Sequence, residues 1–586
     1  MEPIGKQADL IELIKLNKKY ILIEAPAGTG KTFSCIQGAK TVIKENMILK
    51  FQKVLILTFS RNARAQIMKE LNKGNACNDI QKLIEINNYH SFFKKYLDSY
   101  SNLLGFKVKL KIISGDDLLL NLKELPEWNE KIFNKYKCNI IEDFHFQDGK
   151  LKLNNKKSKF AKSNITEVEN LLNIIDRYSK DSGYICFEQF GKYIYDLINK
   201  FPFIAHSISH DFPVLILDEY QDTNYYQSYF VHSILKKSKG VFFADKWQMI
   251  YEFRGSTMDR LTELEKIYPQ LVKIEFNEIH RYREKDDILT ILNQIRNNMA
   301  PNYTSLENGR LIIKDIKCNQ NWSRVKGRSH AAQCTIISQS VFYSCSKEIT
   351  TLLNKNKSVA ILTRGNSLAN RLTKIFFKHK YSPRSLSDTG EMLLQNQLLK
   401  KCLQPGPIGE KLNSIITLLA LCTVEKVIDG EEIEQLQLLT IDSISRKRKP
   451  LIKKIWNCCK NRIENDSIEG CLKLIKDLLI LMDTEGSCAI NYVRKRYVEH
   501  CLSEKNLTEE IIDTIMLQRQ YIDSFSDISK GLYITTIHQS KGKEFDCVFI
   551  IDIDDVQTDA NLLYVSHSRM RELLFPVKLN YQGLRY

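Results

Sequence analysis

Several absences narrow this sequence before any motif is read. No C-x-x-C pair occurs among its 15 cysteines, which are scattered singly apart from Cys458–Cys459. Neither a zinc site nor an iron–sulfur cluster is therefore readable, and free, mostly buried thiols in a reducing cytoplasm are expected. The opening "MEPIGKQADLIELIK" has charges interrupting every apolar run, unlike a secretory signal. No apolar stretch approaches the roughly 20 residues that a membrane span needs, so no membrane partner is expected. There is no internal repeat.

What is present is a chain of 586 residues with an excess of 17 basic over acidic side chains. That length suggests about four domains, and the charge favours polyanionic partners, nucleic acid before membrane. Short β-branched runs recur: "YILIEA" (20–25), "VLILTFS" (54–60), "VLILDE" (214–219), "VFFAD" (241–245), "VAILTR" (359–364), "LYITTIH" (532–538) and "CVFIID" (547–552). Continuous apolar runs bounded by turn residues predict strands buried on both faces of parallel sheets. The first four predict one doubly wound α/β core and the last three a second. Residues 101–210 and 381–530 have helical character and read as insertions. Each carries a basic run, "KLKLNNKKSKFAKSN" (150–164) and "SRKRKPLIKK" (445–454), that is read first as a solvated face.

Two short stretches carry chemistry. "APAGTGKT" (25–32) follows the first strand and precedes a helix-like run. Backbone N–H groups of such a loop, lined here by Ala25, Gly28, Thr29 and Gly30, wrap a phosphate at a helix N-terminus. Lys31 would reach the β/γ-phosphates and Thr32 would ligate Mg²⁺, which makes ATP and Mg²⁺ the expected cofactors. "VLILDEYQDT" (214–223) ends an apolar strand in two adjacent carboxylates, a pair poorly suited to a core. Asp218 is placed to hold Mg²⁺, and Glu219 to orient and deprotonate an attacking water.

With "DEYQDT" the sequence resembles the UvrD/Rep/PcrA-like family, the superfamily 1A helicases. Further stretches match family motifs in order: "LTFSRNARAQI" (57–67), "NYHSFF" (88–93), "FEQFGKYIYDLI" (187–198), "ADKWQMIYEFRGS" (244–256), "RYREKDDIL" (281–289), "AILTRGN" (360–366), "TTIHQSKGKEFDCVFI" (535–550) and "LLYVSHSRMRELL" (562–574). The resemblance runs from Gln7 to Leu574, weakly inside the insertions. It implies two RecA-like parallel-sheet cores with mainly helical insertions. Core 1A would comprise 1–100 and 201–275, with insertion 1B at 101–200. Core 2A would comprise 276–380 and 531–586, with insertion 2B at 381–530. The implied enzyme is an ATPase and 3′→5′ DNA helicase working on single-stranded or junction DNA, with ATP hydrolysed at the cleft between the cores.

The same resemblance implies roles residue by residue. Gln7 would read adenine, Tyr282 would stack on the base, and Glu544 would reach the ribose where Gly542 lets the backbone approach. Gln248 would sense the γ-phosphate and relay its state toward DNA. Arg283 and Arg569 would clamp that phosphate, since a planar fork suits the charge that phosphoryl transfer builds. Arg281, two residues from Arg283, is a rival. Arg283 is preferred because Ile288 follows it at the family's spacing. On the DNA side, Phe59, Arg61, Tyr89, His90, Tyr251, Phe253, Arg254, Thr536 and His538 lie at family positions. Any one of the aromatics alone also reads as core, but the set reads as a stacking platform with a cationic track.

The sequence departs from the family in places. Ala244 replaces a glycine, and Lys246–Trp247 replace a commonly acidic pair. The stretch between "FIID" and "LLYVSHSR" is short, and the chain stops 12 residues after Leu574. These features imply intact ATPase and strand-tracking chemistry with reduced unwinding by the lone chain. They also support an alternative, an ATP-gated DNA-sensing subunit in anti-phage defence. Such a subunit would join a nuclease of the OLD-family type in a hetero-oligomer, as in the Gabija system that the layout resembles.

Overall fold

The computed structural model describes residues 3–59, 78–113, 164–251, 260–282, 286–301, 330–379, 389–405, 408–422, 467–485, 492–504 and 530–579, with shorter pieces between them. Two compact units result, Met1–Arg296 and Asn297–Tyr586.

In the first unit, strands β1 (Tyr20–Glu24), β2 (Val54–Thr58) and β3 (Ile84–Asn88) precede two short pairs, β4 (Lys111–Ile112) with β7 (Tyr184–Ile185) and β5 (Phe144–Gln147) with β6 (Lys150–Leu153). Strands β8 (Val214–Leu217), β9 (Lys239–Ala244) and β10 (Val272–Glu275) follow. Six of these strands form one parallel sheet in the order β10-β1-β9-β8-β2-β3. The apolar runs are continuous because successive side chains feed two different cores. Tyr20, Leu22, Leu55, Leu57, Leu215 and Leu217 enter one cluster with the helices Tyr89–Tyr100, Phe190–Lys200 and Tyr225–Leu235. Their neighbours Ile21, Ile23, Val54, Ile56, Val214 and Ile216 enter the other, against Lys6–Lys15 and Lys31–Lys44. A strand that is apolar on both faces must lie in the middle of a covered sheet.

The stretch expected to be helical between residues 101 and 210 also contains strand. "KLKL" at Lys150–Leu153 pairs antiparallel with Phe144–Gln147, and its strict polar/apolar alternation is the signature of a half-buried strand. This hairpin and the helix Ile165–Ser182 share a small core built on Phe144, Leu151, Val168 and Leu171. Residues 154–163 and 445–453, which hold most of the two basic runs, lie outside the described residues.

In the second unit, β11 (Lys314–Ile316), β12 (Ser358–Thr363), β13 (Gly531–Thr536), β14 (Phe545–Ile551) and β15 (Met570–Leu579) form a parallel sheet in the order β11-β15-β14-β12-β13. Helices His330–Asn354 and Asn366–Lys378 cover it. A separate helical core joins Thr389–Leu403, Ile408–Leu421, Ile468–Glu485 and Tyr492–Ser503. The α/β expectation, two parallel-sheet cores with mainly helical additions, therefore holds. No disulfide joins the described cysteines, and all but Cys458 are buried. Among the described residues no helix is long and apolar enough to cross a membrane.

One buried histidine gives this unit an acid-labile element. His567 is fully buried. Its Nδ1 donates to Leu563 O at 2.8 Å, which leaves Nε2 to accept from the Tyr303 hydroxyl at 3.0 Å. Burial pushes its pKa down to about 4, against about 6.5 in an unfolded chain. Between these values the unfolded chain binds more protons, so this group's contribution is present above about pH 6.5 and is lost as pH falls toward 4. The span corresponds to about 3 kcal/mol. A thermal melt series from pH 7.5 to 4.5 should show wild type losing stability relative to His567→Gln. Parallel pH profiles would contradict this placement.

Candidate nucleotide site and the residues it connects

The candidate site lies at the carboxyl ends of β1, β8 and β9, which are neighbours in the sheet. In open parallel sheets that edge is where ligands bind. Ala25 continues the β1 ladder by donating its N–H to Ala244 O at 2.9 Å, and Asp218 continues β8 by donating to Leu57 O at 2.8 Å. Two glycines then turn the chain through left-handed conformations, Gly28 at φ 86° and Gly30 at φ 82°. Neither position tolerates a side chain. A Cβ on Gly28 would come within 2.8 Å of Arg281 Cβ, and one on Gly30 within 2.7 Å of Gln7 Nε2. Gly30 caps the helix Lys31–Lys44, whose first two residues are Lys31 and Thr32. Thr29 is buried and turns its hydroxyl back onto Pro26 O.

Carboxylates surround Lys31. Its Nζ donates to Glu219 Oε1 at 2.8 Å, in a pair whose side chains are only 11% and 17% exposed. Burial alone would lower the Lys31 pKa, but Glu219, Asp245 and Asp218 together hold it above its ordinary value. Glu219 reaches the lysine from a left-handed backbone, φ 51°, an uncommon conformation for a residue with a side chain. Burial raises the carboxyl pKa of Asp245, against the pull of Lys31.

A side-chain relay leaves this centre. Gln221 Nε2 donates to Glu219 Oε2, and Gln221 Oε1 accepts from the Asp245 N–H at 3.1 Å. Asp245 Oδ2 accepts from Gln248 Nε2 at 2.7 Å, and Asp245 Oδ1 from the Trp247 N–H. Gln221, Asp245 and Gln248 are all buried. Three residues beyond Gln248, Tyr251 stacks on Phe59 with ring centroids 5.0 Å apart and planes 28° from parallel. Gln221 and Asp245 were not singled out as site residues from the sequence, although both stand inside motifs quoted there. Their place here follows from hydrogen bonds between strand ends, which spacing does not reveal.

The remaining candidates divide. Gln7 is buried over the loop, donating to Thr29 O at 3.0 Å and lying 3.2 Å from His280 Nε2. Arg281 lies against the loop and donates its N–H to Gly28 O at 3.2 Å. Arg283, Arg61, Phe253 and Arg254 lie outside the described residues, as does the side chain of Tyr282.

Two expected DNA contacts are placed differently. Tyr89 is 1% exposed, its ring packed edge-on to Phe93 inside the helix-side core. An apolar ring that fills a core offers no face to a base. Thr536 is also buried, and its hydroxyl accepts from the Gln539 N–H as a helix cap. His538, two residues on, is half-buried. His90 is half-buried as well and sits edge-on to Phe187, which joins two of the quoted motifs.

In the second unit, Gly542 turns through φ 77° with open space around it, and Glu544 Oε2 accepts from Arg571 Nε at 3.3 Å. Arg569 is 2% exposed. It donates from Nε to Val565 O, from Nη1 to Lys543 O and from Nη2 to Ser568 Oγ.

These residues suit a magnesium nucleoside triphosphate. Glycines that exclude side chains leave room for phosphate beside backbone N–H groups. A buried lysine supplies charge, and carboxylate and threonine oxygens are the donors that Mg²⁺ takes.

The UvrD/REP helicase N-terminal domain model matches residues 7–269, and the UvrD-like helicase C-terminal domain model matches 531–576. A probable DNA helicase II homolog of Mycoplasma capricolum is 22% identical over 95% of this chain and 82% of its own length. The ATP-dependent DNA helicase Rep of Buchnera aphidicola (subsp. Schizaphis graminum) is 23% identical over 97% of this chain and 92% of its own. A probable DNA helicase II homolog of Rickettsia conorii is 22% identical over 90% and 83%.

Proposed function

Since the chain belongs to the UvrD/Rep family of ATP-dependent DNA helicases, we propose that it moves 3′→5′ along single-stranded DNA while hydrolysing ATP. Lys31 and the Gly28–Gly30 backbone would hold the phosphates, and Thr32 and Asp218 the Mg²⁺. Bound there, the ion would supply charge neutralisation on the phosphates. Glu219 orients the attacking water and takes its proton. Gln248 senses the γ-phosphate, and Arg283 and Arg569 stabilise the charge of the transferring group. Gln7, Tyr282 and Glu544 bind the nucleoside. Residues 101–200 and 381–530 would be the insertions into the two cores.

The observation that carries this reading is the unbroken hydrogen-bonded path from Lys31 through Glu219, Gln221 and Asp245 to Gln248, beside the stacked Phe59–Tyr251 pair. Aromatic faces of this kind bind successive bases without regard to sequence. The excess of basic residues makes phosphate contacts, and hence counterion release, the expected source of affinity. The affinity for oligo(dT) should therefore fall steeply, by about 300-fold between 50 and 200 mM salt for about six phosphate contacts. The direct test of movement is ATP-driven displacement of streptavidin from end-biotinylated single strands. Displacement from the 5′ end alone is expected. ATP hydrolysis without displacement from either end would overturn the translocase reading and leave the DNA-sensing subunit in its place.

A further inference from the structure

Gln221 has both ends of its amide committed, and to different strands. Its N–H₂ holds Glu219 Oε2 at the end of β8, while its carbonyl takes the Asp245 N–H at the end of β9. Asp245 in turn fixes Gln248 through its carboxylate. Lys31 donates to one Glu219 oxygen and Gln221 to the other. A ligand that draws Lys31 onto a phosphate leaves Gln221 as the remaining donor of that pair. Gln221 is 1% exposed, so its amide cannot turn to water, and a change at either end is felt at the other.

We infer that Gln221 is a positioning residue that aims the Glu219 carboxylate and carries the nucleotide state to Asp245, Gln248 and the Phe59–Tyr251 pair. This rests on the function proposed above, in which Glu219 serves the attacking water and the aromatic pair serves the strand. The glutamine amide suits the task because it is donor and acceptor at once, with its two ends facing opposite demands. A carboxylate at 221 would keep the acceptor for the Asp245 N–H but lose the donor to Glu219. Alanine would lose both.

The two variants therefore separate the two functions. Coupling between sites is reciprocal and is read as the factor by which one ligand changes affinity for the other. In wild type, a non-hydrolysable ATP analogue should change the dissociation constant of fluorescent oligo(dT) by a factor of about 5 or more. Gln221→Ala should bring that factor close to 1. Gln221→Glu should retain a factor above 1. Both should lower kcat by about 10-fold or more, with KM for ATP within about threefold, as when an interaction made in the transition state is removed. The glutamate variant conserves volume, so its kcat decides the first function should the alanine variant fail to fold. Wild-type coupling and kcat in both variants would overturn the inference. A wild-type coupling factor of 1, or undiminished turnover by Glu219→Gln, would instead overturn the reading on which it rests.

Discussion

Replacing Lys31 with alanine should reduce ATP turnover by at least about 10²–10³-fold, the loss seen when one preorganised donor to a developing charge is removed. The effect has two components. In the proposed reaction Lys31 is the cation for the phosphates, and its Nζ is also the partner of Glu219 at 2.8 Å. Its removal leaves Glu219, Asp218 and Asp245 close together in a largely buried setting without the charge that now balances them. Breaking one side of a buried pair costs about 3–5 kcal/mol, so Lys31→Ala should melt lower than wild type as well. Lys31→Met combined with Glu219→Gln removes both charges at nearly constant volume. That double variant should recover much of the melting temperature and none of the turnover. Recovery of turnover would show that Lys31 acts only as a structural counter-ion.

Arg569→Ala should lower kcat by about 10³–10⁵-fold, the range for an arginine that stabilises a transferring phosphoryl group, while ATP still binds with similar affinity. In the structure its guanidinium donates to Val565 O, Lys543 O and Ser568 Oγ. Work at the phosphate therefore requires these partners to be exchanged. Arg569→Lys keeps the charge but loses the planar fork, and its kcat should remain far below wild type. Kinetics and a fluorescent ATP-analogue titration separate the two steps. A kcat within tenfold of wild type in Arg569→Lys would show that a point charge suffices, and the same result in Arg569→Ala would remove the residue from the reaction.

Much of the scaffold was legible because central strands have no polar face. All seven apolar runs became strands of the two sheets. The strands that escaped were ones whose composition is mixed. Ile84–Asn88 and Val272–Glu275 lie at opposite edges of the first sheet, where one side faces away from the ladder and polar residues are tolerated. Met570–Leu579 lies inside the second sheet but carries Pro576 and charged residues, which read against a strand. Lys150–Leu153 was hidden in a run read for its charge.

The phosphate loop and the Asp218–Glu219 pair were legible for the opposite reason, since glycines and paired carboxylates at strand ends are poor building material for a core. Gln221 and Asp245 were not, because their importance lies in which backbone groups from a neighbouring strand they meet. Tyr89 and Thr536 show the converse limit. A tyrosine and a threonine inside functional motifs carry ordinary structural work, one as core and the other as a helix cap.

In the proposed function, hydrolysis at Lys31 and Glu219 is tied to a DNA strand through Gln248 and the Phe59–Tyr251 pair. The most direct measurement is the steady-state ATPase rate of the purified protein with and without single-stranded DNA, in wild type and in Tyr251→Ala. A rise of about tenfold or more on adding DNA to wild type, largely abolished in Tyr251→Ala with the DNA-free rate retained, is the expected result. A wild-type rate that does not respond to single-stranded DNA would contradict this coupling.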